Sequence, residues 1–198
     1  MTDYSDLLAA AQQDPSSADF HALRMAYTRS DRYRPYTQQK GLITALDTAL
    51  RTSDLDTALD VAKQLLAANY LDIEAHMAAA YVYTMQENVE MAKHHQLFAN
   101  GLIKAILRSG TGRDPDAAFI VIDIPEEYTI MRLLGLEPSS QKLLNYQGQW
   151  IDMMEVHARD AGDDATAFKL YFNIDLPRAW LSRRMDAHNA AAQEEDSP

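Results

Sequence analysis

Residues 108–136, RSGTGRDPDAAFIVIDIPEEYTIMRLLGL, decide the fold of this chain. A polar segment with two glycines leads into the β-branched and aromatic run Phe119-Ile120-Val121-Ile122, and a helix start follows at Pro125. Nearly all of the sequence before this stretch has helical hydrophobic spacing. No other part of the chain changes its hydrophobic period so abruptly. We therefore place the boundary between a helical half and a mixed half here.

The N-terminal half is predicted to be a series of helices separated by proline and capping signals. A short helix over 4–13 ends before Pro15, because the residue preceding proline is biased away from the α region. Helices are then expected from Phe20, over 36–52, after the capping pair Ser53 and Asp54, over 73–86 and over 88–107.

Small residues in these helices suggest a repeat. Ala79, Ala80, Tyr83, Ala92 and Ala99 have spacings like those of a tetratricopeptide repeat, and Ala45, Leu46, Ala49, Ala58 and Leu65 stand one repeat length earlier. Small side chains allow close approach of packed helices. The large aromatic residue of the repeat pattern is missing, so an ordinary antiparallel helical bundle is the alternative. Either arrangement packs through helix faces and shows no obvious catalytic motif.

The C-terminal half is predicted to be a small sheet with helices against it. A buried strand over 118–124 precedes a helix whose first turn, Pro125-Glu126-Glu127, complements the helix dipole and whose end is at Gly135. Strands over 140–146 and 149–157 flank a turn at Gln147-Gly148, followed by a strand over 167–174 and a helix over 178–189. The order is β-α-β-β-β-α. Short links favour mostly antiparallel pairing, and thus an α+β fold.

The predicted domain organisation has three parts. Residues 1–108 form a tetratricopeptide-like helical region, residues 109–189 form the sheet domain packed on it, and residues 190–198 form a frayed tail.

Three motifs carry a resemblance to a known family. They are RSGTGRDPDAAF at 108–119, IPEEYTIMRLLGL at 124–136 and LYFNIDLP at 170–177. In these motifs the chain resembles a bacterial family known only as a domain of unknown function, over roughly residues 50–182. The resemblance implies tetratricopeptide-like helices paired with a small C-terminal sheet, and it implies no established activity.

Composition excludes several classes of function. Eighteen basic and twenty-nine acidic residues give a net charge of -11, which disfavours binding to a phosphate backbone and favours a basic polypeptide partner. The absence of cysteine excludes disulfides, thiolate chemistry and cysteine-based zinc sites. The N-terminal segment lacks the positive charge and apolar length of a signal peptide, so we expect a cytoplasmic protein that is not in a membrane and needs no cofactor.

The loop of Ser109-Gly110-Thr111-Gly112-Arg113 has two interpretations. Its backbone amides would suit a phosphate, but the strand comes after the loop rather than before it, unlike the phosphate-binding pattern. The favoured interpretation makes Gly110 a left-handed helix cap.

Five polar residues lie nearest the edges of the predicted sheet. They are Asp123, Glu126, Glu127, Asn173 and Asp175. If the first and last strands are neighbours, Asp123, Asn173 and Asp175 would converge to hold a divalent cation or to act as acid and base. The alternative is structural, because Asp and Asn at strand ends make turn hydrogen bonds and the two glutamates cap a helix.

Two further groups are weighed in the helical half. Glu90 and His94, one helical turn apart, suit a two-ligand metal site, although a solvated helix face explains them better. The segment YTRSDRYRPY contains the one basic-aromatic cluster: Tyr27, Arg29, Arg32, Tyr33, Arg34 and Tyr36. Arginine and tyrosine are favoured interface anchors, and an inter-helix loop held by tyrosine packing is the alternative.

The sequence thus predicts a non-catalytic protein-interaction module, in one version an immunity or escort protein that neutralises a basic toxin or effector. A small metal-dependent or carboxylate-based hydrolase and a structural homodimer subunit are the alternatives. The identity of the partner and the oligomeric state stay open.

Overall fold

The fold is that of a computed structural model, which describes residues 3–36, 39–160 and 166–195, with side chains as far as residue 186. The chain divides into two compact units, Met1–Leu107 and Arg108–Pro198. We call them the helical unit and the sheet unit, and we describe each by itself.

Within its described residues, the helical unit contains six helices. They are α1 (Tyr4–Gln13), α2 (Phe20–Arg29), α3 (Lys40–Arg51), α4 (Leu55–Ala68), α5 (Ile73–Met85) and α6 (Val89–Leu107). Several begin at an aspartate whose carboxylate accepts a hydrogen bond from a backbone amide three residues later, as Asp54 does from Thr57 at 3.1 Å. This side-chain cap satisfies an amide that has no partner within the helix. The cap predicted at Asp54 is confirmed.

Helix α3 is shorter than predicted. It begins at Lys40, whereas Tyr36 lies in a turn and residues 37 and 38 are outside the described residues. Gln39 precedes the helix without a side-chain capping hydrogen bond.

The turns of two helical hairpins, α3–α4 and α5–α6, have the same backbone geometry. Each contains a non-glycine residue in the left-handed region, Ser53 at φ 56° and Glu87 at φ 59°. The amide of the next residue donates to a carbonyl in the last turn of the first helix, at 2.8 Å in one hairpin and 2.9 Å in the other. The two left-handed residues are 34 positions apart. The chain therefore builds the same hairpin twice.

Alanines and leucines from α3, α4 and α5 fill a continuous core in the helical unit. Ala58 and Ala62 are completely buried, and so are Ala75 and Val82 on the next helix. Small side chains at these positions let helix backbones approach closely, so burial of this face supplies most of the stability of the hairpins.

The part of the sheet unit that the structure describes forms four strands and two α-helices in the order β-α-β-β-β-α. The elements are β1 (Phe119–Ile120), α7 (Pro125–Leu133), β2 (Leu136–Tyr146), β3 (Gln149–Ala158), β4 (Phe168–Asn173) and α8 (Asp175–Glu195). The strand order is β1-β4-β3-β2, with β1 parallel to β4 and the other pairs antiparallel. Helices followed by a mostly antiparallel sheet make the chain α+β, as predicted.

Strand β1 is much shorter than the apolar run that predicted it. Phe119 and Ile120 lie opposite Phe172 and Asn173 of β4, and the amide of Val121 donates the last hydrogen bond, to the carbonyl of Asn173 at 3.2 Å. Val121 and Ile122 continue the buried segment with exposures of 0% and 2%. The ladder ends because β4 ends at Asn173, where the chain turns into α8.

Glycines set the turns of the sheet unit. The β2–β3 turn at Gln147 (φ 50°) and Gly148 (φ 84°) is the two-residue hairpin turn that the sequence predicts, and Gly135 (φ 69°) follows the end of α7. The prediction of a left-handed Gly110 is wrong. Gly112 (φ 67°) has that conformation instead. Gly110 is required because a Cβ there would collide with backbone atoms of Ala117 and Ala118.

Helix α8 is longer than predicted at both ends. It begins at Asp175 rather than at 178, because proline is tolerated within a first helical turn. It also continues to Glu195 through the segment AAAQEE, which was predicted to belong to a frayed tail. Alanine, glutamine and glutamate are strong helix formers, which accounts for the extension. Residues 196–198 lie outside the described residues, and so do residues 161–165.

Candidate functional site

The basic-aromatic cluster at 27–36 is split between core and surface. Tyr27 and Tyr33 are 5% and 1% exposed, and their rings pack edge to face with centroids 5.3 Å apart. Tyr4 adds a third ring, 5.2 Å from Tyr27. These two tyrosines therefore belong to the interior of the helical unit, as the tyrosine-packing alternative expects.

The remaining members of the cluster lie at the surface. Arg29, Arg32, Arg34 and Tyr36 are exposed. The guanidinium of Arg34 donates from Nη1 to the carbonyls of Asp31 and Tyr33, at 2.6 and 2.8 Å. The arginine side chain thus folds back on its own turn, and this fixes the loop.

The polar residues at the end of β4 make turn and capping hydrogen bonds. Asn173 Oδ1 accepts from the amide of Asp175 at 3.0 Å, and Asp175 Oδ1 accepts from the amide of Trp150 at 2.7 Å. The sheet topology does place the end of β1 beside the end of β4, as the convergence of Asp123 with these residues requires. The carboxylate of Asp175 and the amide of Asn173, however, are engaged by backbone groups.

Backbone amides of the loop over 109–113 are engaged in hydrogen bonds that hold the loop in place. The amides of Thr111 and Gly112 both donate to the carbonyl of Ala117, at 2.9 and 2.8 Å. Ser109 Oγ accepts from the amide of Ile120 at 2.8 Å. Since these groups hold the loop together, the geometry does not support a phosphate cradle.

The histidines of α5 and α6 form an aromatic cluster. His94 Nε2 lies 3.4 Å from the hydroxyl of Tyr70, and Glu90 is exposed. Among the residues described, no group of three or more histidine, aspartate or glutamate side chains is arranged to hold a metal ion. Glu90 and His94 are therefore not joined by a third such ligand within that part of the chain.

A buried histidine pair lies beside this group. His76 and His95 are 0% and 7% exposed, and their Nδ1 atoms are 2.9 Å apart. His76 stacks on Phe98 with ring centroids 4.4 Å apart. Burial lowers the pKa of His76 to about 3 and that of His95 to about 4, so both rings are neutral at physiological pH.

An acidic cluster occupies the interior of the sheet unit. Asp152 on β3 is 4% exposed and lies opposite Leu143 on β2 and Phe172 on β4. Directly opposed residues share one face of a sheet, so a carboxylate sits in the middle of an apolar face. Glu126 and Glu127 on α7 are 6% and 0% exposed.

The three acids differ in their partners. Glu126 Oε2 accepts from the amide of Ile122 at 2.8 Å, and Asp152 Oδ2 accepts from Gln141 Nε2 at 2.8 Å. Among the described residues, neither carboxyl oxygen of Glu127 has a hydrogen-bond partner. Burial, followed by the charges of Asp152 and Glu126, raises the pKa of Glu127 to about 9. Burial also raises the pKa of Asp152.

The sequence pattern predicts a helix-capping role for Glu127 near the sheet edge, and it does not single out Asp152 as a site residue. A signal for both was present. Glu127 is three and four positions before the buried Ile130 and Met131, and Asp152 alternates in phase with the buried Met154 and Val156. Each acid is therefore at a core position of its own element.

An exposed apolar pair distinguishes the second hairpin from the first. On α3, Asp47 and Arg51 form an ion pair at the surface, with side chains 54% and 77% exposed. The positions 34 residues later on α5 carry Tyr81 and Met85, which are 47% and 55% exposed. Val89, at the start of α6, is 76% exposed. We call Tyr81, Met85 and Val89 the α5–α6 patch.

Comparisons with known proteins give a family and nothing closer. None of the helices in the described parts of the chain has the length and apolar character needed to cross a membrane. Comparison with curated proteins and with solved structures returned no significant match. A family model described as a domain of unknown function (DUF4919) matches residues 4–183. The chain belongs to this DUF4919 family.

Proposed function

We propose that this chain is a non-catalytic protein-binding module that docks a basic, amphipathic polypeptide segment on the α5–α6 patch. The observation that carries the proposal is the exchange of an ion pair for an apolar pair at equivalent hairpin positions. The ion pair of Asp47 and Arg51 shows that the first hairpin packs with charged side chains at these positions. The apolar side chains of Tyr81 and Met85 are therefore not needed for packing the second hairpin. Exposed aromatic and thioether side chains of this kind are typical interface anchors.

The two hairpins support a surface for polypeptides. Their turns recur after 34 residues, which is the length of a tetratricopeptide repeat. In our proposal the two hairpins are therefore tetratricopeptide-like. Stacked helical pairs of that kind present extended surfaces to a partner chain.

Charge indicates the kind of partner. Glu87 and Glu90 are exposed and flank Val89, and the whole chain has a net charge of -11. A partner with apolar residues on one helix face and lysine or arginine beside them complements both features. A concrete version of the proposal is an immunity or escort protein of the bacterial cytoplasm that holds a basic toxin or effector inactive.

The test uses a variant that copies the first hairpin into the second. The double substitution Tyr81→Asp and Met85→Arg keeps helical residues and creates an ion pair, so the fold should be retained by circular dichroism. Binding of a basic amphipathic helical peptide is measured by fluorescence anisotropy. We expect at least a tenfold loss of affinity, since interface anchors contribute more than about 1 kcal/mol each.

The matched control removes the equivalent pair of the first hairpin, Asp47→Ala with Arg51→Ala. This control should bind the peptide as well as the unaltered chain, and binding should weaken as salt is raised. A partner captured from lysate counts as support only when the double variant loses it and the control keeps it. Equal binding by all three proteins rejects the proposal.

Self-association is the second candidate, and strand β2 is the observation that favours it. β2 is eleven residues long, lies at the edge of the sheet and is exposed from Glu137 to Leu143. Edge strands with unpaired backbone groups can pair with a second chain. Light scattering over a concentration range decides the matter, because a dimer has twice the mass of 22.3 kDa and a monomer does not.

The hydrolase hypothesis gains no comparable support. Asn173 and Asp175 hold turn and strand amides, and no cation-binding group of three acidic or histidine side chains is present among the described residues.

A further inference from the structure

The carboxyl group of Glu127 is buried without hydrogen-bond partners among the described residues. The side chain is 0% exposed, and neither carboxyl oxygen has a partner among the described residues. Leaving a buried polar group unsatisfied costs about 1–3 kcal/mol. A group of this kind in a native structure calls for an explanation, and a ligand that supplies the missing donors is one.

The surroundings of Glu127 select the chemistry of such a ligand. The charges of Asp152 and Glu126 act directly on Glu127, and all three side chains are hydrogen-bond acceptors when ionised. Arg178 acts on Asp152, and the described hydrogen bonds bring in the Ile122 amide and the Gln141 side-chain amide as donors. Glu127 itself receives none of them, so a positively charged donor group complements this place.

We propose that Glu127 and Asp152 form a binding site for a nitrogen cation, an alkylammonium or guanidinium group carried by a small ligand or by a peptide side chain. Such groups have three or five N–H donors and make short, charge-assisted hydrogen bonds with carboxylates. The described acids are not arranged as a group of three metal ligands, which favours a nitrogen cation over a metal ion.

Gln141 provides the route to the site. Its side chain is exposed, donates to Asp152 at 2.8 Å and accepts from the hydroxyl of Tyr128 at 3.5 Å. Tyr128 is itself 45% exposed, so a chain of polar contacts runs from the surface to the buried carboxylate. Rotation of Gln141 frees Asp152 Oδ2, and the cation takes the place of the amide.

Proton release follows from this arrangement. The pKa of Glu127 is about 9 because of burial and the two neighbouring acids, so the carboxyl is neutral at pH 7. A bound cation stabilises the ionised form, and the carboxyl gives up its proton as the ligand enters. The affinity should therefore rise by up to tenfold per pH unit until the pH reaches about 9.

The experiment is calorimetric titration of the full chain at pH 8 with methylguanidinium and with propylammonium, at constant ionic strength. Tetramethylammonium, which carries charge but no N–H donor, is the control ligand. The site variants are Glu127→Gln and Asp152→Asn. The control variant is Glu155→Gln, because Glu155 is on the opposite face of β3 and bonds Ser140. We expect at least tenfold weaker binding in both site variants and unchanged binding in the control.

Three results overturn the site: equal binding by Glu127→Gln, equal binding of tetramethylammonium, or no binding by the folded chain at millimolar ligand. Should a site variant fail to fold, ¹³C NMR titration of the unaltered chain gives the answer. The pKa of Glu127 must then fall by at least one unit when ligand is added. Free arginine and an arginine-containing peptide, titrated separately, distinguish a small ligand from a peptide side chain.

Discussion

The histidine pair of the helical unit has its protons fixed by geometry. His76 Nε2 lies 2.8 Å from the carbonyl oxygen of Tyr70, which can only accept, so Nε2 carries the proton. The neutral ring of His76 then presents a lone pair at Nδ1, and His95 Nδ1 donates to it across 2.9 Å. Each ring is thus held in one tautomer by its neighbour.

Truncation of His95 should be costly because it leaves an acceptor buried without a donor. We expect His95→Ala to lower the free energy of unfolding by roughly 2–4 kcal/mol, combining a cavity with the orphaned Nδ1 of His76. His95→Asn places an amide N–H near the position of the original donor and should cost about half as much. Urea denaturation at pH 7.5 measures both values.

The comparison between the two variants is the control. If asparagine destabilises the chain as much as alanine does, packing rather than the hydrogen bond explains how this pair stabilises the fold. The tautomer assignment then fails. ¹⁵N chemical shifts of His76 report the tautomer directly, because protonated and unprotonated ring nitrogens differ widely.

Single residues were the hardest part of this chain to predict from sequence. The pattern YTRSDRYRPY contains both surface arginines and core tyrosines, and composition alone does not separate Tyr27, which is buried, from Tyr36, which is exposed. The burial of Glu127 and Asp152 was not predicted, because an acidic side chain is expected at the surface. Only the phase of the neighbouring apolar residues indicates otherwise.

Elements were predictable where proline or glycine gave a strong local signal. Helix α1 ends at Gln13, before Pro15, and the β2–β3 turn falls at Gln147 and Gly148, as the sequence predicts. The length of β1 was not predictable, because an apolar run indicates burial without showing how many residues the neighbouring strand can pair. The long-range pairing of β1 with β4 joins Phe119 to Phe172, which are 53 positions apart, and local patterns do not report pairing over such a distance.

Two glycines test how backbone conformation stabilises the elements. A Cβ at Gly135 or at Gly41 would contact nothing within 4 Å, but only Gly135 has a left-handed backbone, with φ 69°. Gly135→Ala should therefore destabilise the chain by about 1 kcal/mol through backbone strain alone. Gly41→Ala, inside the first turn of α3, should be neutral or stabilising by up to about 1 kcal/mol.

Thermal unfolding should show stability changes of opposite sign for the two alanine variants if backbone conformation governs these positions. A loss of stability in both would mean that space rather than conformation limits the two positions. Asparagine at position 135 provides a further check, because it tolerates the left-handed region better than alanine and should recover part of the loss.

At the scale of the whole molecule, the two units carry buried titratable groups that make their stabilities depend on pH in opposite directions. His76 and His95 have lowered pKa values, so the unfolded chain takes up protons below pH 6.5 while the folded helical unit does not. Their contribution is present above pH 6.5 and is lost as the pH falls. Glu127 has a raised pKa, so its contribution is present below pH 4.5 and is lost as the pH rises toward 9.

We therefore expect acidification to weaken the helical unit and to strengthen the sheet unit. Each titrating group changes the free energy of unfolding by about 1.4 kcal/mol per pH unit. Between pH 6.5 and 5, His76 therefore lowers the free energy of unfolding of the helical unit by roughly 2 kcal/mol, while Glu127 raises that of the sheet unit by a similar amount. Hydrogen exchange at pH 5, 6.5 and 8, corrected for the intrinsic exchange rate, measures this separately for amides of α5 and of β3. Protection in α5 should fall toward pH 5 and protection in β3 should rise. Glu127→Gln should abolish most of the change in β3 and leave α5 unaffected, whereas parallel changes in both elements would show that the buried groups do not govern the pH response.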